Sequence, residues 1–128
     1  MPRPMKAFLL VLLLAAPLLA GCATQTTGPA TPPRDAEGRY VIKMTSALRF
    51  VPADAAVPAN ATVVWVLDGT APHDVTEAGE AWSSDEMGGK VGGPGGPSEY
   101  QRTFAEKGTV RYYCKIHGTQ MSGTLTVQ

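Results

Sequence analysis

The chain has only 2 cysteines and 2 histidines in 128 residues, and charge of neither sign is in excess, with 11 Lys plus Arg against 11 Asp plus Glu. A balanced charge excludes the basic face that a nucleic-acid partner needs. Sustained helical periodicity is missing outside the first twenty residues, which excludes a helical bundle. No long apolar run occurs beyond Ala7 to Ala20, and that one is too short for a comfortable membrane span. The glycine-rich stretch from Gly88 to Pro97 lacks the Lys-Ser/Thr pair and the strand-to-helix context of a phosphate-binding loop.

Arg3 and Lys6 precede the apolar run, the order expected of an export signal over residues 1–21. The signal ends in Leu19-Ala20-Gly21-Cys22, which resembles the bacterial lipobox, whose cysteine is acylated and becomes the new N-terminus. Lipidation at Cys22 implies a membrane-anchored protein outside the cytoplasm, periplasmic or on the outer face of the envelope. Ordinary cleavage beside a chance cysteine, with a Cys22 to Cys114 disulfide, is the alternative. Residues 22–38 are rich in Thr, Pro and Gly and poor in large apolar groups, so a disordered tether is expected there. Residues 39–128 then form one domain with a modest core.

Within that domain the pattern is that of strands. Tyr40, Ile42 and Met44 alternate with Val41, Lys43 and Thr45, a half-buried strand, and a short one follows at Leu48 to Val51. Ala61 to Leu67, closed by the Asp68-Gly69 turn, is a near-continuous apolar run and reads as a central strand. Tyr100 to Phe104, Val110 to Cys114 and Thr124 to Val127 supply three more, the first two joined by a turn at Glu106-Lys107-Gly108. Arg102 shares a face with Tyr100 and Phe104, which fits an edge position or a bulge. Val110 and Tyr112 should share the face of Cys114, with Arg111 and Tyr113 turned away. Residues 83–97 are expected to be a long mobile loop without core residues. The sum is an all-β fold, a β-sandwich.

The stretch Cys114-Lys115-Ile116-His117-Gly118-Thr119-Gln120-Met121 places a thiol, an imidazole and a thioether on one short loop, and the other histidine, His73, stands upstream in Ala71-Pro72-His73-Asp74-Val75. One thiolate, two neutral imidazoles and a weak axial thioether are the donor set of a one-copper redox site. The expected ligands are therefore His73, Cys114, His117 and Met121, for one copper ion cycling between Cu(II) and Cu(I). Met44 reads as core and Met87 as a loop residue with little claim to the axial position. A lone thiol in an oxidising compartment is also better protected by a metal than left free. Zinc could occupy the same ligands.

With these residues in view, the stretch from about Tyr40 to Gln128 resembles the cupredoxins, particularly the plastocyanin, amicyanin, pseudoazurin and halocyanin group. The resemblance runs through the Trp65 strand, Pro72-His73-Asp74-Val75, Phe104 to Gly108, and Tyr112-Tyr113-Cys114-Lys115-Ile116-His117 with Met121. It implies a Greek-key β-sandwich with type 1 copper, and His117 as the partly exposed ligand through which electrons pass. Two features depart from the pattern. The gap of three residues between His117 and Met121 lies between those of amicyanin and plastocyanin, and Asp74 stands where plastocyanins often carry Asn.

The function expected is that of a monomeric, membrane-tethered electron carrier that exchanges single electrons with redox partner proteins and catalyses no reaction itself. A copper-binding or delivery protein would use the same ligands, but Met-rich and His-rich tracts are missing. A metal-free adhesive sandwich would need Cys114 only for packing. An acidic run, Asp74, Glu77, Glu80, Asp85 and Glu86, opposes Arg111 and Lys115 around the thiol, and reads first as a solvated loop face.

Overall fold

The structure is a computed structural model that describes residues 1, 27–84, 86–88 and 97–128. Eight strands follow in order: β1 Tyr40–Thr45, β2 Arg49–Val51, β3 Asp54–Val57, β4 Ala61–Asp68, β5 Thr76–Glu77, β6 Glu99–Phe104, β7 Gly108–Cys114 and β8 Gly118–Val127. They form two four-stranded sheets, ordered β2-β1-β4-β6 and β3-β8-β7-β5. The chain changes sheet after β2, β3, β4, β5 and β6, the crossing pattern of the expected Greek-key β-sandwich, and no helix occurs among the described residues.

Side-chain pattern explains each position. In β1, Tyr40, Ile42 and Met44 are buried while Lys43 is exposed, as alternation requires. Val63, Val64 and Trp65 of β4 are buried in succession, which suits a strand with neighbours on both sides and cover on both faces. β6 is an edge strand in regular register with β4, so Arg102 occupies an edge and no bulge is needed. Its guanidinium lies 4.9 Å over the Trp82 ring, a use for a cation on an otherwise aromatic face. In β7, Tyr112 and Cys114 face the core and Arg111 faces solvent, as the alternation predicts.

Three features differ from expectation. β3 is short, alanine-rich and set between Pro52 and Pro58, so neither periodicity nor β-propensity marks it; its partner β8 supplies the order. β8 begins at Gly118 rather than Thr124, because Thr119, Gln120, Ser122 and Gly123 conceal the alternation of Met121, Gly123, Leu125 and Val127 toward the core. The stretch expected to be a disordered tether becomes ordered before Tyr40. Ala30 donates to the Asp54 carbonyl at 2.9 Å and accepts from Ala56 N–H at 2.9 Å, while Val41 N–H bonds the Pro33 carbonyl at 2.8 Å. Composition hid this because backbone groups, not side chains, make the contacts: the strap fills the open edge of β3. Arg39 then clamps its turn, bonding Asp35 at 2.7 Å and Glu99 and Gln101 at 2.9 Å each. The export signal, Cys22 and the start of the tether lie outside the described residues.

Between the sheets the core is aromatic. Trp65 of one sheet meets Tyr112 of the other edge to face at 5.3 Å, and Phe50 packs edge-on against the same Tyr112 at 4.8 Å. This floor lies under the end of the sandwich where β7 terminates in Cys114.

Candidate metal centre

β7 and β8 pair regularly up to Tyr113 opposite Ser122, then the register shifts so that Cys114 pairs with Gly118. The turn closing that pair contains Lys115, Ile116 and His117, and Gly118 adopts φ +78°, a left-handed conformation that favours glycine. So tight a turn brings the His117 imidazole back over the cysteine: His117 Nδ1 stands 3.5 Å from Cys114 Sγ.

His73 arrives from the connection after β4. Its backbone exchanges two hydrogen bonds with Met87, at 3.0 and 2.8 Å, which fixes the loop. Its Nε2 lies 2.9 Å from the Thr45 carbonyl at the end of β1. A carbonyl can only accept, so Nε2 carries the proton and Nδ1 is left with its lone pair, 4.0 Å from Cys114 Sγ. Burial pushes the His73 imidazole below its ordinary pKa and the neighbouring His117 acts in the same direction, opposed by the Thr45 carbonyl and Asp74. The neutral ring that a metal requires is thereby favoured.

One donor atom from each of His73, Cys114 and His117 thus lies within 4.8 Å of the others. The two imidazole rings stand 4.9 Å apart at 61°. Cys114 and His73 are fully buried and His117 is half-buried, so the set opens to solvent only on the His117 side. Cys114 is a free thiol whose near polar neighbours are these two ring nitrogens. A soft sulfur facing two imidazole nitrogens fits copper, and these residues would hold it. Met121 is buried on β8, in the same hydrophobic cluster as Cys114. Of the four expected ligands, three converge and the fourth lines the neighbouring core.

Other residues of the site were not legible in the pattern. Met87 lies in the connection between β5 and β6, as expected, yet it is fully buried in the core cluster, and its two-bond pairing with His73 turns both side chains to one face. Its setting in a glycine-rich stretch hid this; the remainder of the expected mobile loop, Asp85 and residues 89–96, lies outside the described residues. Asp74 does not belong to a solvated acidic face either. It is only 4% exposed, and its Oδ1 accepts from Lys115 N–H at 2.9 Å and from the Thr76 hydroxyl at 3.1 Å. It therefore joins the His73 loop to the Cys114 loop, the job open after the departure from Asn. Glu80 is exposed and accepts from Tyr113 Oη at 3.1 Å.

Comparison with known proteins agrees with this geometry. A family model described as "Copper binding proteins, plastocyanin/azurin family" matches residues 36–128. A mutant fern plastocyanin superimposes with a TM-score of 0.57 at 23% identity, covering 69% of this chain and 99% of its own. The Cu(I) form of an amicyanin mutant gives 0.60 at 26% identity, with coverage of 81% and 95%. A purple cupredoxin from Nitrosopumilus maritimus gives 0.57 at 21%, with coverage of 69% and 98%. The donor set, the sandwich that carries it and the family match together assign the site to one copper ion. On these grounds the chain belongs to the plastocyanin/azurin family of copper-binding proteins, the cupredoxins.

Proposed function

We propose that this protein is a one-electron carrier, held at a membrane outside the cytoplasm by an acyl chain on Cys22, and that it catalyses no reaction of its own. The observation that carries the reading is the convergence of Cys114, His73 and His117 on one point with a single half-buried member. Copper bound there supplies a reversible Cu(II)/Cu(I) couple. The chain contributes the rest. His73 is locked by the Thr45 carbonyl and Cys114 by its strand, so the donors hold their places in both oxidation states. A site that does not rearrange exchanges electrons with little barrier. His117 reaches toward solvent beside Ile116, which is 41% exposed, and this end offers an apolar contact through which a redox partner protein can approach. Met121, buried in the same cluster as Cys114, would add a weak thioether donor that tunes the potential.

The anchor rests on the lipobox, Leu19-Ala20-Gly21-Cys22. Copper-loaded protein should show an intense visible thiolate-to-copper band and a reversible one-electron wave. A colourless or redox-silent protein refutes the carrier, and ready loss of copper to a chelator at neutral pH favours delivery instead. Mass spectrometry of the exported protein should find acyl chains on Cys22, and Cys22→Ser should release it from membranes. An unmodified Cys22 refutes the anchor.

A further inference from the structure

Asp74 is a buried carboxylate without a charged partner among the described residues. None of the ion pairs among the described residues includes it, and the side chains of Lys115 and Arg111 are exposed. Its hydrogen-bond donors are the neutral Lys115 N–H and Thr76 hydroxyl, both to Oδ1, while Thr76 Oγ1 also lies 2.8 Å from Ser83 Oγ. A neutral amide oxygen would accept the same two bonds, so bridging the two ligand loops does not by itself require a charge. Burying a carboxylate without a counter-ion is costly, and a cation nearby is what offsets it.

We propose that the Asp74 carboxylate is the electrostatic counterweight of the metal site, holding the oxidised state down in energy and setting the reduction potential lower than an uncharged residue would. The inference rests on the carrier reading above. Asp74 follows one ligand, His73, and bonds the backbone of the residue that follows another, Cys114. Uptake of one electron from a donor protein lowers the charge of the site by one, with no proton taken up and no bond made or broken. A fixed negative charge opposes that step and favours the reverse one, release of the electron to an acceptor. Through a partly shielded protein medium, a unit charge this close shifts such an equilibrium by about tenfold or more.

Asp74→Asn tests it, since the amide oxygen keeps both hydrogen bonds and only the charge is lost. With the blue absorption retained, the midpoint potential should rise, and the ratio of Cu(II) to Cu(I) affinity should fall by about tenfold or more. The metal-free variant should melt no lower than metal-free wild type, because the uncompensated charge is gone. Thr76→Val removes one donor from the carboxylate and should move the potential the opposite way, which keeps the test decisive if the Asn variant folds poorly. An unchanged affinity ratio in Asp74→Asn, or shifts of the same sign in both variants, overturns the proposal while leaving the carrier reading intact. A wild type without a one-electron wave overturns both.

Discussion

Gly123 faces Tyr112 across the β7–β8 ladder, and the aromatic ring lies over the glycine. A Cβ at position 123 would sit 2.6 Å from Tyr112 Cε2 and closer still to Cζ and Oη. The ring cannot swing aside, since Phe50 holds it edge-on at 4.8 Å and Trp65 at 5.3 Å. Gly123→Ala must therefore displace a strand or strain a rotamer, at a cost of about 1–3 kcal/mol for overpacking. The gain of about 0.4–1 kcal/mol from a less flexible unfolded chain offsets only part of this. The midpoints leave a net loss of about 1.3 kcal/mol, and for a domain of this size each kcal/mol moves Tm by about 4–8 °C, so a fall of roughly 5–10 °C is expected. Thermal unfolding of the metal-free protein by circular dichroism reads it without interference from copper. Oη is one of the clashing atoms, and neither it nor Trp65 Nε1 has a hydrogen-bond partner among the described residues. Tyr112→Phe should therefore be nearly neutral alone and recover part of the loss in the Gly123→Ala background. A Gly123→Ala protein melting within about 2 °C of wild type refutes the packing argument.

Other outcomes follow from the same structure. Met87→Ala empties a fully buried site beside His73 and should cost about 2–5 kcal/mol by chemical denaturation; a loss under about 0.5 kcal/mol would mean the side chain is not in the core. Burial holds the Tyr112 phenol well above its ordinary range, so the folded state resists ionisation that the unfolded state undergoes. The Tyr112 contribution should be constant below about pH 10, and stability should decline above it, less steeply in Tyr112→Phe, as followed by denaturation midpoints across alkaline pH. Ala30→Pro removes the N–H that bonds the Asp54 carbonyl, and should speed limited proteolysis within residues 27–38 while the core melts almost unchanged; unaltered cleavage would mean that bond does not hold the strap.

What could be foreseen followed from side chains that announce themselves. Alternation in Tyr40–Met44 and the apolar run around Trp65 give β1 and β4, and the Cys114 to His117 spacing needs only a tight turn to bring sulfur and nitrogen to 3.5 Å. What stayed hidden depends on backbone groups or on distant partners. Nothing local in Asp54–Val57 marks a strand until β8 lies beside it, and nothing around Ala30 signals a strap until the edge of β3 is there to be filled. Met87 is surrounded by residues of loop composition, and only its backbone pairing with His73 brings it inside. The burial of Asp74 could not be read from its neighbours in an acidic run, because its partner is the N–H of Lys115, 41 residues away.

The sulfur of Cys114 and the Nδ1 atoms of His73 and His117 are placed to hold one metal ion between them. X-ray absorption fine structure on the copper-loaded protein reads that first shell directly. One short copper–sulfur and two copper–imidazole distances are expected, with the sulfur lost in Cys114→Ser. A shell of nitrogen and oxygen alone in the wild type would contradict it.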